Sequence, residues 1–183
     1  MQSILITGTS SGFGRLAALE LARRGHRVFA GMRHVDGVRA EAAASLEREA
    51  RAVGGTLEVL SLDVTSGESV TAAVDHVVRV SGRLDVLVNN AGVAAAGISE
   101  AFTAEDAQRI FDVNFFGALR TMRAVLPTMR AQRRGLLVQV SSVLGREVVP
   151  FLALYEASKF ALEGFFEASR HELAAVGVDV VLV

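Results

Sequence analysis

Six short, continuous apolar runs punctuate the chain, and longer amphipathic segments separate them; that order leaves few folds open. The runs cover residues 3–7, 27–32, 57–62, 84–89, 136–141 and 178–183. Between them lie helical patterns over 12–24, 38–53, 68–80, 104–132 and 152–175, the fourth containing Pro127, which is expected to kink or shorten it. Gly25, Gly54-Gly55 and Gly82 stand where helices should stop. The strand runs do not alternate polar with apolar, so each should be buried on both faces, as in a parallel sheet between two helix layers. With 183 residues and no repeat or linker, the expectation is one doubly wound α/β domain over 1–183. An open sheet of this kind receives its ligand beyond the carboxyl ends of its strands.

Composition removes several function classes. A formal net charge of -1 gives no electrostatic case for nucleic acid or an anionic membrane as partner. The absence of cysteine excludes disulfides, thiolate nucleophiles and zinc–thiolate sites. His26, His34, His76 and His171 show no ligand spacing, so no metal is expected. No apolar run approaches the roughly 18 residues of a membrane span. Met1-Gln2-Ser3 carries no basic segment or cleavage site, and a cytoplasmic enzyme is the expectation.

Thr7-Gly8-Thr9-Ser10-Ser11-Gly12-Phe13-Gly14 joins the first strand to the first helix. A strand–turn–helix is where backbone N–H groups and the helix dipole receive a phosphate. Gly8 permits the turn, Gly12 close approach of phosphate, and Gly14 tight packing of helix on strand. A turn that only reverses the chain is the alternative, disfavoured by the repeated strand–helix units downstream.

The spacing Thr-Gly-x-x-x-Gly-x-Gly resembles the motif of the short-chain dehydrogenase/reductase family, and the resemblance extends over essentially all 183 residues. It implies a Rossmann-type three-layer sandwich with strand order 3-2-1-4-5-6. It also implies a seventh strand and a mobile substrate lid beyond the sixth, both expected to be missing here. Phe13 departs from the isoleucine most common at its position, as in some retinol dehydrogenases. Ser10, Ser11, Gly12, Phe13 and Gly14 are the implied phosphate-side residues.

A dinucleotide site for NAD usually carries an acid about 20 residues past the glycine turn. Here the second strand ends Gly31-Met32-Arg33, and an arginine suits the 2′-phosphate of NADP through paired charge-assisted bonds, with Ser10 as a second donor. NADP is therefore the expected cofactor. NAD is the alternative, with Asp36 swinging back to the ribose and Arg33 solvated. The family's adenine contact maps onto Asp63-Val64 and its Asn-Asn-Ala-Gly motif onto Asn89, Asn90, Ala91 and Gly92. Structurally, Asp63 could equally cap the next helix and Asn90 stabilise a turn.

Tyr155 and Lys159 stand four apart on a predicted helix and share one face. Reducing a carbonyl needs a hydride at carbon and a proton at oxygen, and a tyrosine beside an ammonium can donate that proton. Tyr155 is the only tyrosine and Lys159 the only lysine in the chain. The resemblance adds Ser142, at the family's interval before the tyrosine, and Asn114, implied to hold a water that links Lys159 to solvent. Ser141 takes a structural or cofactor-side role. Asn114, Ser142, Tyr155 and Lys159 thus form the expected catalytic tetrad, and Tyr155 and Lys159 also touch the cofactor.

The Tyr155–Gly164 stretch is similar to the hydroxysteroid and retinol dehydrogenase branches, implying an apolar carbonyl or alcohol substrate. Phe151, Leu152, Leu154, Phe160, Phe165 and Phe166 are pocket candidates, though helical spacing favours core or interface for most. The resemblance implies a homodimer or homotetramer. A second reading is an NADP-binding module or scaffold without turnover, because the substrate region is absent.

Overall fold

The computed structural model describes residues 1–183. Six parallel strands, β1 (Ser3–Thr7), β2 (Arg27–Met32), β3 (Thr56–Ser61), β4 (Val86–Asn89), β5 (Gly135–Gln139) and β6 (Val178–Leu182), form one sheet in the order 3-2-1-4-5-6. Helices α1 (Gly12–Arg23), α2 (Ala40–Ala52), α3 (Gly67–Ser81), α4 (Ala104–Phe111), α5 (Gly117–Gln132) and α6 (Ala153–Ala174) connect them. The expected Rossmann-type doubly wound sandwich is the architecture found.

The period of two along each strand divides the core. Leu5, Phe29, Leu87 and Leu137 point to the face covered by α3, α5 and α6, where Val77, Val125, Met129 and Phe166 are fully buried. Ile4, Ile6, Val28, Ala30 and Val86 point to the opposite face, under Ala18 and Ala22 of α1 and Leu46 and Ala50 of α2. Each fully buried Leu, Ile or Phe contributes about 1.5–3 kcal/mol, so both layers hold the sheet. All five residues of β1 are buried, as the continuous run predicts.

That expectation fails at β3, where only Leu60 is buried, and at β6. Burial alternates along β6, and Val181 is 40% exposed. α1 and α2 pack over β1–β3 and do not reach this edge, so only the α6 side of β6 is covered.

The long helical pattern over 104–132 is also divided, and not at Pro127. α5 runs through Pro127, while a π-helical segment, Asp112–Phe116, separates α4 from α5. A π segment widens the turn, and asparagine, a poor interior helix residue, lies at its middle as Asn114. Gly117 follows because α5 passes close to the loop after β3; a Cβ there would stand 2.8 Å from the Val64 side chain. α2 starts at Ala40, two residues later than the pattern suggests, after a turn in which His34 takes φ 56°. No helix is long and apolar enough to cross a membrane.

Candidate active site and cofactor cleft

The glycine turn is built around contacts between β1 and β4. Asn90 at the end of β4 donates from Nδ2 to the carbonyls of Thr7 (2.9 Å) and Gly8 (3.0 Å). Thr7 Oγ1 in return accepts from the N–H groups of Asn90 and Ala91, both at 3.0 Å. Gly8 has φ 73°, and a Cβ on it would stand 2.7 Å from Ala91 Cα. A Cβ on Gly14 would collide with the Asn90 amide and the Gly8 carbonyl. Gly12, by contrast, faces open space. Ser11, the residue capping α1, makes no side-chain cap bond, so the first N–H groups of the helix are left to an incoming anion.

Beside this turn lies a cleft of about 270 Å³. Its walls include Gly8, Ser10, Ser11, Phe13, Arg33, Val64, Asn90, Ala91 and Gly92 from the sequence expectation, with Met32 and Leu62 as apolar floor. Gly12, Gly14, Asp63, Tyr155 and Lys159 are not among the walls. Asp63 Oδ1 accepts from the Thr65 N–H (2.9 Å) and hydroxyl (2.8 Å), fixing the turn into α3. Burial works against its charge, but those two bonds, then Arg33 and His34, hold the carboxyl below its usual range.

One wall residue was not anticipated. Arg39 borders the cleft together with Arg33 and hydrogen-bonds Ser10. The helical pattern from 38 onward places Arg39 inside a helix; in the fold it is the residue preceding α2, free to turn toward the glycine loop. Two arginines and no carboxylate line the cleft. Asp36 is exposed and lies outside it. Arg23 and Arg24, near these in sequence, pair instead with Glu20.

Tyr155 and Lys159 lie on α6, which packs against the π segment that carries Asn114 and against the turn that begins at Ser142. Lys159 is 6% exposed; its Nζ donates to the Val140 carbonyl (3.1 Å) and lies 5.7 Å from the centre of the Tyr155 ring. Burial pushes the Lys159 ammonium below the usual lysine range, and Glu163 opposes that. Ser142 Oγ accepts from the Leu144 N–H at 3.1 Å, which leaves its proton free to donate. Asn114 is buried and fully engaged: Oδ1 accepts from the Val93 N–H (2.8 Å), and Nδ2 donates to the Val93 carbonyl and to Ser158 Oγ, each at 2.9 Å. Val93 is itself a wall of the cleft, so Asn114 connects the two halves of the site.

Exposed apolar residues stand next to Ser142 and shortly before Tyr155 in the chain, with exposed Arg146 and Glu147 among them. Ile98, Val143, Val148 and Phe151 are all more than half exposed. Phe151 adopts φ 74°, a conformation disfavoured for a bulky side chain, and its carbonyl accepts from the Gly97 N–H at 2.8 Å. The Glu156 carboxylate, buried, accepts from the Val149 N–H at 2.7 Å and so tethers the same loop to α6. Of the other aromatic pocket candidates, Phe166 is core, Phe165 packs between Phe115 and Phe166, and Phe160 is partly exposed.

This arrangement has close counterparts. The family model described as short chain dehydrogenase matches residues 2–183. Bovine retinol dehydrogenase 8 is 43% identical over 186 residues, spanning 100% of this chain and 57% of its own length. A 3-ketodihydrosphingosine reductase of Bacteroides thetaiotaomicron is 38% identical over 182 residues, spanning 100% of this chain and 62% of its own. The chain therefore spans less than two thirds of the length of these curated relatives. Among solved structures, a metagenomic short-chain oxidoreductase in complex with NADP has TM-score 0.91 at 34% identity, covering 99% of this chain and 80% of that one. NAD+-bound xylitol dehydrogenase has TM-score 0.90 at 31% identity, covering 99% and 68%. Motif, fold and matched length agree: the chain belongs to the short-chain dehydrogenase family.

Proposed function

We propose that residues 1–183 form one NADP(H)-dependent oxidoreductase domain that interconverts a carbonyl and a secondary alcohol on an apolar small molecule. The observation that carries this reading is the buried Lys159 ammonium beside the Tyr155 ring, with Ser142 and Asn114 at the adjoining strand end and π segment. When bound, the nicotinamide cofactor supplies or accepts the hydride. In reduction, the Tyr155 phenol donates its proton to the carbonyl oxygen, and in oxidation the phenolate takes it back. Lys159 stabilises the charge left on the phenolate. Ser142, oriented by the Leu144 N–H, donates to the substrate oxygen as negative charge develops there. Asn114 holds Val93 and Ser158 and so keeps the cleft wall and α6 in register.

Preference for the phosphorylated cofactor is supported by the cleft chemistry. Arg33 and Arg39 offer two guanidinium groups, and Ser10 a hydroxyl, with no carboxylate to hold a ribose diol. Arg39→Ala is expected to weaken NADPH binding about tenfold, the low end of a charge-assisted hydrogen bond in a partly solvated site, and to leave NADH binding nearly unchanged. Equal losses for both cofactors in a fluorescence titration would remove the 2′-phosphate role.

The apolar substrate is supported by exposed Ile98, Val143, Val148 and Phe151, the last three in the stretch between Ser142 and Tyr155, and by relatives named for retinol and for a ketodihydrosphingosine. The test follows absorbance at 340 nm with NADPH and NADH against ketones graded from short polar to long apolar. Oxidation of NADPH by the apolar members supports the reading. Tight NADPH binding with no oxidation across the panel would favour a binding module instead.

A further inference from the structure

Arg39 reaches the cleft from the residue that precedes α2, so the position of α2 decides whether its guanidinium arrives there. That helix is lightly held. Of its 13 residues only Leu46 and Ala50 are buried, and both lie from its middle onward. On the β3 side, Glu47 accepts from the Val59 N–H at 3.1 Å. On the α1 side the tie is Arg15, which closes the first turn of α1 directly after Gly14 and has a side chain 20% exposed. Its Nη2 donates to Ser45 Oγ (3.2 Å) and to Glu49 Oε1 (2.6 Å), and Ser45 Oγ donates to the same carboxylate oxygen (2.7 Å). Nη1 is buried without a partner, so the two Nη2 bonds are what offset the desolvation of this guanidinium. Ser45 and Glu49 are four apart and share one face of α2, which the three side chains grip together. Among the ion pairs, Arg15–Glu49 alone joins α1 to α2: Arg23 and Arg24 pair within α1, Arg48 and Arg51 within or beside α2.

We propose that Arg15 is a positioning residue for cofactor choice: by clamping Ser45 and Glu49 to the start of α1 it fixes α2, and so delivers Arg39 to the place where a 2′-phosphate is held. The inference rests on the reading of the Arg33–Arg39 cleft as a 2′-phosphate site. α1 is the fixed partner in the clamp, since its glycine turn is bonded to the end of β4 through Thr7, Gly8 and Asn90, and Ala18 and Ala22 are fully buried. α2 is the partner that needs fixing. A charge-assisted hydrogen bond to phosphate weakens steeply beyond about 3 Å, so a small drift of α2 is enough to lose the contact of Arg39. Arg15 is not a wall of the cleft, and its effect on the cofactor passes through Arg39.

A double-mutant cycle tests this, read as Kd from fluorescence titration with NADPH and with NADH, and it needs no substrate. Arg15→Ala is expected to weaken NADPH binding about fivefold and to leave NADH binding within about twofold. In the Arg39→Ala background the same substitution adds less than about twofold, because the group through which it acts is already gone. Full additivity overturns the proposal. So does an equal loss for NADH, which would show that Arg15 serves the glycine turn itself. The α2 side of the clamp gives an independent variant, Ser45→Ala combined with Glu49→Ala, which leaves a strong helix former at both places. It also takes a negative charge from a protein that binds an anion, so electrostatics alone would tighten NADPH binding. The proposal expects NADPH binding to weaken about threefold instead. Tightened or unchanged binding overturns it, and this variant serves if Arg15→Ala does not fold. Should Arg39→Ala cost NADPH and NADH alike, the 2′-phosphate reading falls and the inference with it. Should Arg39→Ala be selective while the clamp variants are not, the inference falls alone.

Discussion

Tyr155→Phe is expected to lower turnover by roughly 10²–10⁴-fold, the range set by removing a general acid–base group. The substitution keeps the ring over which Lys159 Nζ sits at 5.7 Å, so α6 packing and the Lys159–Val140 bond persist. It removes only the phenolic hydroxyl, and with it the proton to be transferred. Tyr155 is not a wall of the cleft that holds Arg33 and Arg39, so NADPH affinity should change little. The useful measurement is the pair of numbers, kcat from 340 nm absorbance and Kd from fluorescence titration. Turnover within threefold of the parent would show that the proton comes from elsewhere, and the mechanism above would fall.

Asn114→Ala is the second large effect, and it acts on the fold before it acts on chemistry. The side chain satisfies the Val93 N–H and carbonyl and reaches Ser158 Oγ. Alanine leaves those partners to seek water in a site where Asn114 itself is 1% exposed. An unsatisfied buried polar group costs about 1–3 kcal/mol, and Val93 is partly hydrated, so a loss of about 3 kcal/mol is expected. Against a total of about 5–15 kcal/mol for a typical protein this is a large fraction. Denaturant melts with unchanged slope would measure it. NADPH affinity should fall as well, since Val93 borders the cleft. A stability change under 0.5 kcal/mol would mean that the π segment holds its shape without this amide.

The acid side of the stability profile follows from two carboxylates. Glu163 and Asp63 both have carboxyls held below their usual range in the fold, so both bind protons less readily folded than unfolded. Their contribution is fully present above the ordinary carboxylate pKa and is lost as pH falls through the depressed folded values. A melting-temperature series from pH 7 downward should therefore decline less steeply in Glu163→Gln than in the parent. An identical slope would show that the ion pair of Glu163 with Arg146 adds nothing to folding.

Much of the frame was legible in the order of residues. Continuous runs such as Ile4-Leu5-Ile6 show burial on both faces directly, because strand period and hydrophobicity are local properties. The glycines at 8, 12 and 14 are legible because positive φ and close approach exclude side chains, and Gly8 and Gly12 do take φ 73° and 59°. The Tyr155–Lys159 pair is legible through the helical repeat, which places residues four apart on one face. The break near Asn114 was also signalled, by a poor helix former in the middle of a helical pattern. Its form as a π segment was not, because that depends on Val93 and Ser158, which are remote in sequence.

What required the tertiary structure is the company each charge keeps. Arg39 falls inside the helical pattern from 38 onward; only the late start of α2 brings it to Ser10 and into the cleft with Arg33. Glu163 is brought against Gly145 and Arg146 only by the fold. β6 reads as doubly buried, but which layers reach an edge strand depends on where helices pack rather than on the strand's own residues. The sequence by itself determined the strand–helix order, the glycine turn and the helix face that bears Tyr155 and Lys159, since these rest on short-range sterics and periodicity. The fold alone decided which arginines line the cleft and which carbonyl receives the buried lysine, since such interactions depend on distance and burial, neither of which follows from spacing along the chain.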